Sequence, residues 1–137
     1  MNGTVERYAL PIADPFGIAR GTTRTSEAVV VELTHDGTTG VGAVTPSSYY
    51  DETAASVETT LPALLDIVES VGDPLAGQRI ERRMRAHAPD EQAARCVVSI
   101  ALADLAARTL SVPLYRQWGL DPDEVPPTTY TVGIDTP

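Results

Sequence analysis

The hydrophobic period changes from strand-like to helical between residues 45 and 53, and that change fixes the fold class. Up to about residue 45 the chain reads as strands, with a continuous β-branched segment at its centre. Residues 4–10 can extend. Ala28-Val29-Val30-Val31-Glu32-Leu33 places Val29, Val31 and Leu33 on one face. His35-Asp36-Gly37 follows, an Asp-Gly hairpin signal, and residues 41–45 form the return strand, stopped by Pro46. From Thr53 the period becomes 3.6: Val57, Leu61, Leu64, Leu65, Val68 and Val71 share one helical face, with Thr53 as N-cap and Pro62 expected to kink or restart the helix. A short helix over 78–86 carries Arg79, Arg82, Arg83 and Arg85. Asp90 is read as the cap of the strongest element, which runs to Leu110 and is apolar nearly all round, as befits the buried centre of a bundle. Pro113 opens a last helical turn that ends at Trp118-Gly119.

This order gives an α+β domain over residues 1–120, a three-stranded antiparallel meander followed by a helical bundle. Residues 121–127 read as an acidic, proline-rich linker, and residues 128–137 as a fresh strand with nothing after it to pair with. The expectation is a chain that stops just inside a second domain.

Composition excludes several chemistries. All 10 basic residues are arginines, so no lysine is present to form a Schiff base, bind a P-loop phosphate or act as a base. A net charge of −9 argues against nucleic acid or an anionic membrane as partner. Such an acidic surplus also suits salt adaptation. No apolar run reaches the ~20 residues of a membrane span, and no signal peptide opens the chain, so a cytoplasmic protein is expected. Cys96 alone makes no internal disulfide and is read as a buried structural thiol within the apolar helix. His35 and His87 have no ligand spacing, so no metal site is expected in this chain.

Other residues suggest particular tasks. Gly40-Val41-Gly42 lacks the third glycine and the helix of a dinucleotide loop, and reads as a strand approached closely by other backbone. Asp104 interrupts an apolar stripe and should tie its helix to a neighbouring backbone or arginine. The arginines of 79–85 read as a solvated face, with Glu81 and Arg85 an i, i+4 pair. Residues 12–25 read as a long loop holding Phe16, Gly17, Gly21, Arg20 and Arg24, able to close over an anionic ligand.

Taken in order, Pro15-Phe16-Gly17-Ile18-Ala19-Arg20-Gly21, the Val29–Leu33 strand, Gly40-Val41-Gly42, Thr45-Pro46, Tyr50-Asp51-Glu52-Thr53, Ala101-Leu102-Ala103-Asp104-Leu105-Ala106-Ala107, Pro113-Leu114-Tyr115 and Trp118-Gly119 form a pattern. It resembles the N-terminal capping domain of the enolase superfamily, in the mandelate racemase/muconate lactonizing family, and within it the dipeptide epimerases such as the L-Ala-D/L-Glu epimerases. Thr131-Val132-Gly133-Ile134-Asp135 is similar to the first strand of their (β/α)8 barrel.

The resemblance implies an isomerase that abstracts the proton α to a carboxylate and holds the enolate on Mg²⁺, with two barrel lysines as acid and base and barrel carboxylates as metal ligands. None of these catalytic or metal-binding residues is in this chain, which alone should be inert. It implies substrate-binding roles for Arg20, Arg24, Tyr50 and Thr131, with a dipeptide or other carboxylate as substrate, its own C-terminal barrel as partner and a homo-oligomer open. Ala43 stands where the family often has Glu. Muconate cycloisomerase and o-succinylbenzoate synthase caps stay open as alternatives, as does a non-catalytic α+β binding or dimerisation module.

Overall fold

In the computed structural model, residues 1–18 and 21–129 are described. Three strands, β1 (Asn2–Ile18), β2 (Gly21–His35) and β3 (Thr38–Val44), form an antiparallel sheet in the order β1-β2-β3. Four helices follow: α1 (Ala54–Val71), α2 (Gly77–His87), α3 (Gln92–Thr109) and the single turn α4 (Leu114–Gln117). The β2–β3 connection is a two-residue turn in which Asp36 (φ 47°) and Gly37 (φ 79°) both take positive φ, as an Asp-Gly hairpin requires.

Val29, Val31 and Leu33 on one face of β2 are fully buried, and Val57, Leu61 and Leu64 of α1, Ile80 and Met84 of α2, and Val97, Val98, Ala101 and Leu105 of α3 close over them. The contact between α3 and β3 is closest. A Cβ on Gly40 would lie 2.2 Å from Leu105 N and 2.4 Å from Ala101 O, and one on Gly42 would lie 2.2 Å from Val97 O. The two glycines share a strand face, so they let the helix backbone rest on the strand backbone. Asp104 finishes this contact as expected of it: its Oδ2 accepts from the Val41 N–H (2.9 Å) and from Arg108 Nε (2.9 Å). Since β3 is an edge strand, the Asp104 carboxylate satisfies an amide that no neighbouring strand pairs.

Several expectations are corrected. Of the loop expected over residues 12–25, the described residues 12–18 and 21–25 belong instead to a ribbon, because β1 and β2 stay paired out to Ile18 and Gly21, with one register irregularity between Pro11 and Phe16. The β-branched Thr22, Thr23 and Thr25 keep β2 extended where the glycines and prolines suggested a loop. Pro62 does not restart α1, which runs through it as one helix: Pro62 faces solvent while Leu61 and Leu64 on either side are fully buried and hold the turn. The residue capping α3 is Glu91, one beyond Asp90, and it makes no side-chain cap bond. Cys96 is exposed, on the side of α3 turned away from the sheet. Glu81 reaches across to α3, where it accepts from Ser99 Oγ (2.6 Å) and lies 3.8 Å from Arg95 Nη1, instead of pairing with Arg85.

Thr53 caps α1 as expected, within a reciprocal capping box with Ser56. Gly119 takes φ 68° after α4. The linker residues Pro122–Glu124 form a 3-10 turn. The terminal strand expected from residue 128 falls almost wholly outside the described residues.

Candidate functional site

β3 pairs only with residues 29–35 of β2, so the β1–β2 ribbon projects eight residues further. At ~3.3 Å per residue that is about 25 Å of two-stranded arm. An isolated arm of two strands has little stability of its own. Its root is tied down by Arg7, whose guanidinium donates to Glu27 of β2 (2.6 Å) and to Glu58 of α1 (3.0 Å). Those hydrogen bonds, to Glu27 first and then Glu58, hold the Arg7 pKa above its ordinary range. Nearby on β1, Tyr8 donates its hydroxyl to Glu6, and this bond with the Glu6 charge raises the phenol pKa.

Arg24 sits on the arm at its irregular point. Pro11 pairs with Thr25 and Phe16 with Thr23, so residues 12–15 bulge opposite Arg24 alone. The bulge turns the ribbon locally, and Arg24 is exposed, with no hydrogen bond or ion pair among the described residues. Arg20, which the sequence pairs with it, lies outside the described residues.

At the same end of the sheet, β3 runs out at Val44 into a 3-10 turn, Ser48–Tyr50. Ser47 caps this turn, its hydroxyl accepting from Tyr49 N–H (3.3 Å), and Asp51 ends it in the left-handed region at φ 59°. Tyr49 and Tyr50 are 64% and 71% exposed and meet edge to face, centroids 4.9 Å apart. Exposed paired rings of this kind offer apolar contact area at little entropic cost. The antiparallel topology thus sends the arm with Arg24 and the turn with Tyr50 out of one end of the sheet. Thr131 lies outside the described residues.

Sequence reasoning missed the residue that anchors this turn. Glu52 is buried, 9% exposed, and its Oε1 accepts from the Ala93 N–H (2.6 Å) at the start of α3. The one available signal was a glutamate next to an N-cap threonine, which does not indicate that it caps another helix.

Among the described residues no group of three or more His, Cys, Asp or Glu could hold a metal ion. His35 only faces the neighbouring Asp36 (3.5 Å), and His87 is exposed at the end of α2. A groove of about 680 Å³ lies apart from the arm and the turn, between α2 and α3, lined by Leu75, Arg82, Arg85, Leu102 and Gln117 among others. No helix among the described residues is long and apolar enough to cross a membrane.

A three-stranded antiparallel meander followed by four helices matches the enolase-type N-terminal capping domain. The family model described as "Mandelate racemase / muconate lactonizing enzyme, N-terminal domain" matches residues 2–119, and the chain belongs to this family. It is 35% identical over its whole length to an L-Ala-D/L-Glu epimerase of Bacteroides thetaiotaomicron, of which it covers 35%. In structure it resembles a mandelate racemase/muconate lactonizing protein of Roseovarius nubinhibens ISM complexed with magnesium, at TM-score 0.85 and 28% identity, covering 98% of this chain and 37% of that one. It also resembles a dipeptide epimerase of Methylococcus capsulatus complexed with Mg and L-Arg-D-Lys, at TM-score 0.75 and 28% identity, covering 86% and 34%. The chain therefore spans about a third of the length of these relatives.

Proposed function

We propose that this domain is the substrate-covering cap of a dipeptide epimerase acting on L-Ala-L-Glu or a similar acidic dipeptide. The observation that carries the reading is the shared exit of the Arg24 arm and the Tyr50 turn from one end of the sheet. An arm whose outer part is only two strands wide can swing, and an arginine on it can grip a carboxylate through two parallel hydrogen bonds. The tyrosine turn supplies a wall on the other side. Arg20 and Thr131 belong to the same substrate contacts in this reading.

The proton transfer belongs to the rest of the polypeptide. The 137 residues contain no lysine to act as acid or base. A Mg²⁺ ion, as in the Methylococcus capsulatus relative, would stabilise charge developing on the substrate carboxylate. Its ligands would come from the barrel, which would be the partner of this domain. The cap's own residues exclude water and hold the dipeptide side chain. Favouring an acidic side chain over the cationic L-Arg-D-Lys rests on the positive charge of Arg24.

The test compares two dipeptides in the complete enzyme that carries this domain, by α-proton exchange in D₂O with Mg²⁺. Arg24→Ala should raise KM for L-Ala-L-Glu about 10- to 100-fold, as loss of a charged hydrogen bond implies. KM for L-Ala-L-Leu, which has no side-chain carboxylate, should barely change. Equal effects on both would remove Arg24 from side-chain recognition.

A further inference from the structure

We propose that Glu52 is a positioning residue that fixes the Tyr49–Tyr50 turn by joining it to the start of α3. The inference deepens the functional reading above, because it takes that turn as a wall of the substrate site.

Glu52 is the one buried charged residue among those described. A buried carboxylate is costly unless it is hydrogen-bonded, and it finds its donor where spare donors exist. The first amides of a helix have no partner within the helix, and the helix dipole favours negative charge there. The α3 cap residue, Glu91, makes no side-chain bond to them. Glu52 takes that place from 41 residues away, accepting the Ala93 N–H at 2.6 Å.

The bond's place in the chain gives it consequence beyond capping. Glu52 stands two residues after Tyr50, and the backbone between them folds tightly. Tyr50 N–H donates to Ser47 O (2.9 Å), Asp51 N–H to Ser48 O (3.2 Å) and Glu52 N–H to Ser47 O (3.3 Å). Thr53 then enters the capping box of α1. The turn is thus pinned to α1 through Thr53 and to α3 through Glu52. In turn, α3 is seated on β3 at Gly40 and Gly42, where no side chain intervenes. Tyr50 is 71% exposed, so burial does little to hold its ring, and its placement is inherited from the backbone. Glu52 transmits the position of the α3–β3 contact to the aromatic pair.

The test has two arms. In the 137-residue chain, amide hydrogen exchange is followed by NMR for Glu52→Ala and Glu52→Gln. In Glu52→Ala, the Tyr50, Asp51 and Glu52 amides should exchange about tenfold faster, as in a local opening, while Val98 and Leu102 in the middle of α3 keep their protection. Glu52→Gln should restore most of the protection, since the amide oxygen still accepts from Ala93 N–H. Unchanged turn amides in Glu52→Ala, or equal loss of protection through α3, would overturn the positioning role.

In the complete enzyme, Glu52→Ala should raise KM several-fold with kcat retained, and Glu52→Gln should stay near the parent. Exchange that rises while KM stays constant would keep the positioning role and reject the turn as a substrate wall.

Discussion

Gly40 and Gly42 are the positions where a single atom decides the packing. A Cβ on Gly40 meets backbone atoms of α3 at 2.2–2.5 Å, and backbone cannot rotate away as a side chain would. Gly37 differs, since its Cβ would meet nothing within 4 Å and only its φ of 79° opposes substitution. Gly40→Ala should therefore cost about 3 kcal/mol or more, as severe overpacking does. Gly37→Ala should cost about 1–2 kcal/mol, the penalty of a left-handed residue. Urea unfolding with an unchanged m-value measures both. If Gly40→Ala proved no worse than Gly37→Ala, α3 would not touch β3 as closely as described. The glycine pair was legible in the sequence because alternate strand residues share a face. The partnership of Glu52 with Ala93 was not, because hydrogen bonds between residues 41 apart leave no local pattern.

The elements divide by how much of their pattern is local. The α1 face, the Asp36-Gly37 turn and the Thr53 cap were all readable, since each rests on residues within a few positions of one another. The ribbon escapes a local reading because Pro11, Gly17 and Gly21 are turn formers, and their pairing depends on the strand opposite. In α3 the apolar residues run round the whole helix, so period alone does not say which stripe faces the core. Cys96 and Ile100 fall on the exposed side, against the expectation of a buried thiol. The clearest element-scale prediction concerns Pro62, the ninth residue of an 18-residue helix. Proline there removes the bond to the Glu58 carbonyl and costs up to about 3 kcal/mol relative to alanine. Because its side chain is exposed, Pro62→Ala forfeits no core contact. The variant should unfold at higher temperature and be more stable by about 1–3 kcal/mol. Failure to gain stability would mean that α1 has already relaxed around its proline.

Across the whole molecule the charge is one-sided, with 19 carboxylates against 10 arginines. Two opposing effects follow, and their balance can be measured. Net charge of −9 makes the compact state repel itself, most directly along α1, where Glu58, Asp66 and Glu69 have no basic residue on the same helix. Against this stand the ion pairs of Arg7 with Glu27 and Glu58, Arg95 with Glu81, and Arg108 with Asp104. Most of their partners are partly exposed, and pairs of that kind contribute about 0–1 kcal/mol each. Salt weakens both effects, since raising ionic strength from about 0.01 to about 1 M shortens the screening length from about 30 to about 3 Å. Pairs at 2.6–3.8 Å remain inside or near even the shorter length, whereas repulsion between carboxylates spread over the surface acts at longer range and is lost first. Adding NaCl should therefore stabilise the fold and move the urea midpoint upward. A midpoint that falls with salt would mean that the ion pairs outweigh the repulsion, and would leave the acidic surplus without a role in tolerance of salt.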